Sequence, residues 1–205
     1  MGDGAGQFIT DVDAREYFLG AVEEAVLNQN LQVSGETRVY LGNLLTTFIN
    51  AGQLYDQTPQ GVMLKPLANR YLEAVETSST KERFVVLQRL GDVSLFISGL
   101  FAQSLSRSLV DIDYYIAMGG NAYSYLSESP AAGTVVALKI VFTELAENFT
   151  GMIDILSEVG ESISINTNYD LLRLYEIWQK TGSTRVADKL AKAGIHPIKT
   201  AARHH

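Results

Sequence analysis

Between Ser79 and Arg107 the chain reads STKERFVVLQRLGDVSLFISGLFAQSLSR, its longest stretch with one unbroken helical period. At about 100° per residue Val86, Leu87, Leu90, Val93, Ile97, Phe101 and Leu105 share one broad face, while Lys81, Gln88, Arg89, Asp92, Gln103, Ser106 and Arg107 gather opposite. A face that wide has to be covered by other elements. Gly91, Ser94, Ser98, Gly99 and Ala102 are small and let neighbouring helices come close. The segment is therefore expected to be the spine of a helical domain.

The remaining chain supplies helices to pack on it. Asp13 and Glu16 have capping-box spacing and predict a helix from there to about Asn28, with Phe18, Leu19, Val22, Ala25 and Val26 buried. Ser34 opens a second helix carrying Val39, Leu41, Leu44, Leu45, Phe48 and Ile49, which stops near Gly52. After a loop from Gln53 to Gly61, Pro66 starts a third helix that gives Leu67, Tyr71, Leu72 and Val75 to the core. Ser79 and Glu82 repeat the capping-box spacing at the head of the spine.

Asp111 caps the helix that ends before Pro130. Thr134 begins one long amphipathic helix whose stripe runs from Leu138 through Phe149 to Val159. Asn166, Thr167 and Asn168 interrupt the chain, Tyr169 to Lys180 forms a shorter helix with the single Trp178, and Gly182 with Ser183 restarts a last helix to about Ala193, paired as a hairpin. Only short β-like runs such as Ser162 to Ile165 remain. The expected fold is all-α: a single-domain bundle of about seven or eight helices around a central helix at 79–107. Residues 1–8 are expected to be disordered, 9–195 to form the domain, and 196–205 to be a flexible basic tail.

Composition excludes several chemistries. There is no cysteine, so thiol nucleophiles, zinc–thiolate sites and disulfides are absent, and the expectation is a cytoplasmic protein. The three histidines are His196, His204 and His205, which leaves the body of the domain without imidazole for a Ser–His dyad, a haem or a di-iron carboxylate bundle. No metal or cofactor is expected. The longest uncharged apolar run, between Asp92 and Arg107, is shorter than the roughly 18 residues that span a bilayer, and no basic-then-apolar leader opens the chain. The formal charge of −7 divides into an acidic body and an end, from Lys180 onward, with six basic residues against Asp188. That end is too sparse in charge and aromatics for a nucleic-acid surface.

Three places could carry function. Asp92 interrupts the richest apolar region, and Asp111, Asp113, Tyr114 and Tyr115 open the next helix, so an acid cluster beside phenols could bind a ligand or exchange a proton. The plain alternative is an Arg89–Asp92 pair at i,i+3 and two aspartates at a helix N-terminus. Gly119 and Gly120 inside a helix, flanked by Tyr114, Tyr115, Tyr123 and Tyr125, cost about 1 kcal/mol each relative to alanine, which asks for close packing, a pocket or a dimer seam. Asp154, Glu158 and Glu161 form an acidic outer face, for which a solvated surface is the plain reading.

Two functional readings follow. The favoured one is a non-enzymatic helical protein that binds a second copy or another protein. The alternative is a small-molecule binder or enzyme with an Asp/Tyr-lined pocket built from Asp92, Asp111, Asp113 and the nearby tyrosines, and it requires those residues to converge.

Overall fold

Side chains that satisfy free backbone amides set where the helices start. Ser79 Oγ accepts from the Glu82 amide (3.3 Å) at the head of the spine, and Asp111 accepts from the Ile112 amide (2.7 Å). The computed structural model describes residues 11–49, 54, 56–58, 61–101, 111–129, 136–162, 174–175, 178, 182–192 and 195. Among these, eight helices are present: α1 (Asp11–Asn28), α2 (Gly35–Ile49), α3 (Leu67–Glu76), α4 (Thr80–Leu100), α5 (Ile112–Glu128), α6 (Val136–Glu147), α7 (Phe149–Ser162) and α8 (Thr184–Lys192). The fold is all-α, with one three-residue antiparallel pair, β1 (Asp56–Thr58) and β2 (Gly61–Met63), in the expected loop between α2 and α3.

The spine is α4, packed by α5 and α7 over its small-residue side, by α3 at its N-terminal half and by α2. It ends earlier than expected. Phe101 caps it, its amide bonded to the Ile97 carbonyl (3.0 Å), and the expected continuation from 102 to 107 lies outside the described residues. Also outside are residues 1–10, the Thr134 helix start, the Asn166–Asn168 break, most of the Tyr169–Lys180 helix and residues 196–205 with all three histidines. The start of α1 differs as well: the helix already includes Asp11, so Asp13 lies inside it and not at its cap.

The expected single helix after Thr134 is two. Asn148 separates α6 from α7, and its side-chain Nδ2 donates to the Glu144 carbonyl (3.2 Å), the local competition that weakens a helix interior. The interruption lets α6 bury Val141, Phe142 and Leu145 against α5 and α2, while α7 turns Met152, Ile153, Ile155, Leu156 and Val159 toward α4 and α1 and sets Phe149 against α5. The acidic face of this pair ties down the α1–α2 connection. Glu144 accepts from the Ser34 amide and hydroxyl (both 2.9 Å), and Glu158 accepts from Asn28 (2.6 Å) and Gln29 (2.7 Å), contacts that hold its carboxyl below the usual range.

The glycines of the spine interface are there because nothing larger fits. A Cβ on Gly99 would lie 2.5 Å from the Leu156 Cβ, and one on Gly119 would lie 2.5 Å from the Phe149 ring and 2.8 Å from the Ser94 Cβ. Ser94 and Ser98, fully buried, return their hydroxyls to the Leu90 and Ser94 carbonyls (2.8 Å each), so their polarity is satisfied within α4. Gly120 is different, with nothing within 4 Å of an added Cβ. Gly120→Ala is accordingly expected to raise unfolding free energy by about 0.5–1 kcal/mol, read by urea denaturation.

Candidate functional site

Gly91 makes room for the Tyr123 ring, which would stand 2.6 Å from a Cβ at that position. Tyr123 is fully buried and stacks on Phe142 (centroids 5.8 Å apart, planes at 22°), and this fixes where its hydroxyl points. It donates to Asp92 Oδ1 at 2.8 Å. Tyr40, from α2, donates to the same oxygen at 2.6 Å and in turn accepts from Gln88 Nε2 at 3.2 Å. A carboxylate from α4 thus joins α2 to α5 through two phenols.

Burial is the largest influence on this group. It pushes the Asp92 carboxyl up to about 6, against the two phenol hydrogen bonds and the Arg89 charge, which favour the ionised form. Burial, followed by the Asp92 charge, likewise raises both Tyr40 and Tyr123 well above the ordinary phenol value, so the phenols act as donors and not as bases. Tyr123→Phe keeps the ring and deletes one donor. The Asp92 carboxyl should then titrate higher still in a carboxyl-carbon NMR titration, and stability at pH 7 should fall by about 1–2 kcal/mol.

Arg89 stands over the Phe48 ring at 4.7 Å. Burial and the charge of Arg70 lower its pKa, while Asp56 and Asp92 oppose them, so these four charges form one electrostatic group across β1, α3 and α4. Arg70 is buried, its Nη2 paired with the Asp56 carboxylate and its Nε without a hydrogen-bond partner among the described residues. An unpartnered buried donor costs about 1–3 kcal/mol.

The other sequence candidates do not join this cluster. Asp111 is the exposed cap of α5 and Asp113 is exposed in its first turn, ten residues and about 15 Å along the helix axis from Tyr123. Tyr114 and Tyr115 are half-buried and meet edge to face at 5.7 Å. Gly119 is filled from inside by Phe149 and Ser94, while Gly120 faces open space. Asp92 and Tyr123 therefore come together, and Asp111, Asp113, Tyr114 and Tyr115 stay apart from them. Tyr40 was missed by sequence reasoning, which named Val39 among the apolar residues of this helix; Val39 is exposed, and the buried stripe runs through Thr37, Leu41, Leu44, Leu45 and Phe48. That stripe passes beside Tyr40 and was the available signal.

A second feature lies on α3. Leu67, Arg70 and Ala74 are its buried face. Tyr71, Leu72 and Val75, expected in the core, are 49%, 54% and 57% exposed. With exposed Ala68 they cover about 100° of the helix, directly beside the buried arc, while Asn69, Glu73 and Glu76 fill the remaining side. The helix carries one broad apolar face, and the fold covers only the part of it around Leu67 and Ala74.

Among the described residues no group of three or more His, Cys, Asp or Glu is placed to hold a metal, and no helix is long and apolar enough to cross a membrane. Set against known protein families, curated proteins and solved structures, the chain has no match.

Proposed function

We propose that this is a helical binding protein whose working surface is the outer apolar arc of α3. The observation that carries the reading is the simultaneous exposure of Tyr71, Leu72 and Val75 on a helix whose neighbouring arc is already seated on α4. Single exposed apolar residues need no explanation, but a contiguous arc on one short helix is the form in which protein interfaces are built. The competing small-molecule or enzymatic reading has less to work with. The polar groups it needs are divided: both phenols of the Asp92 cluster are engaged with one carboxylate oxygen, and Asp111 and Asp113 sit elsewhere on α5.

Native mass spectrometry of the protein purified from its own host, beside the Leu72→Glu variant, tests this. A protein mass or a second copy retained by the wild type and lost in the variant supports the α3 surface. A small adduct that survives Leu72→Glu and disappears in Asp92→Asn would replace this reading with the Asp/Tyr pocket.

A further inference from the structure

The structure also bears on what kind of partner fits this arc. The outward arcs of α3 display Ala68, Tyr71, Leu72 and Val75 beside Asn69, Glu73 and Glu76, with no basic residue among them; its one basic residue, Arg70, is buried against Asp56. Lys65 pairs with Glu73, and Glu76 carries no ion pair among the described residues. The apolar arc is thus bordered on one side by carboxylates, on a chain of formal charge −7.

A second copy is the less favourable occupant. In an antiparallel two-fold pairing of α3 with itself the same flank of each helix meets its twin, so Glu76 faces the acidic border of the partner helix. Like charges across an interface disfavour that pairing, and the shared −7 slows the encounter.

We infer that the α3 surface takes an amphipathic helix of another protein, with apolar residues at i, i+3, i+4 and i+7 and lysine or arginine along the flank that meets Glu76, beside the Lys65–Glu73 pair. This rests on the reading of α3 as the working surface. The apolar contacts would supply most of the affinity, and the basic flank would set orientation and exclude acidic competitors.

The test uses two fluorescent synthetic peptides of identical leucine spacing, one with lysines and one with glutamates along the flank, titrated at fixed ionic strength. The expected result is binding of the lysine peptide at least about tenfold tighter than the glutamate peptide, a preference flattened or reversed by Glu76→Lys, with both peptides lost in Leu72→Glu. Equal binding of both peptides, each abolished by Leu72→Glu, overturns the basic partner while keeping the surface. So does failure of both together with a dimer in sedimentation that Leu72→Glu dissolves. Binding indifferent to Leu72→Glu overturns the inference and the α3 reading with it.

Discussion

Gly119→Ala is expected to lower unfolding free energy by about 1–3 kcal/mol, although alanine is the better helix former by about 1 kcal/mol. The sign is decided by what surrounds the new methyl. It would lie 2.5 and 2.6 Å from two atoms of the Phe149 ring and 2.8 Å from the Ser94 Cβ. Phe149 cannot simply swing away, because it is itself buried beside Tyr123, with ring centroids 6.0 Å apart. Relief must come from separating α5 from α4 and α7, which loosens packing at every layer they share. Gly99→Ala should behave alike, since its methyl meets the Leu156 Cβ at 2.5 Å, an atom fixed to the backbone of α7. Urea denaturation of Gly119→Ala next to Gly120→Ala is the sharpest form of the experiment: adjacent positions, one helix, opposite signs.

The second large effect is a pH-dependent gain from Asp92→Asn. Asp92 in the folded protein titrates at about 6, above its ordinary value of 3.8, chiefly because burial disfavours its charge. Between those two values the folded state holds a proton that the unfolded chain has released, so unfolding releases protons and stability falls as pH rises. Below about pH 4 both states are protonated and the group contributes no pH dependence. Above about pH 6 the folded protein carries an ionised, largely desolvated carboxylate, a cost of about 2–3 kcal/mol for a shift of this size. Asparagine keeps an oxygen to accept from Tyr40 and Tyr123 and never ionises. The stability of Asp92→Asn minus that of the wild type should therefore rise by about 2–3 kcal/mol from pH 4 to pH 7.5. Taking the difference removes the contributions of the other carboxylates. A difference independent of pH would show that Asp92 is not titrating in this range.

How far these features could be read from the sequence depends on whether they are local or long-range. The start of α4 at Ser79, the cap at Asp111 and the small residues at Gly91, Ser94 and Gly99 are local or periodic signals, and the helices form and approach where those residues stand. The break at Asn148 was not legible, because Leu138 to Val159 keeps its period straight through it and only the different partners of α6 and α7 reveal the division. Asp92 was conspicuous as a charge in an apolar run. Its bond to Tyr40 crosses 52 residues, and no periodicity reports which distant phenol arrives. On α3 the apolar residues were found and their destination was wrong: Tyr71, Leu72 and Val75 look like core because hydrophobic period marks a face without saying what meets it. That error is informative, since an apolar arc its own chain leaves open is what a binding surface looks like.

The most direct measurement is the unfolding free energy of Leu72→Glu by urea denaturation of the protein alone. If the outer arc of α3 is uncovered, the glutamate stays in water and stability remains within about 0.5 kcal/mol of the wild type. A loss of about 2 kcal/mol or more would mean that Leu72 is buried by the protein's own chain, and α3 would then have no free surface to offer a partner.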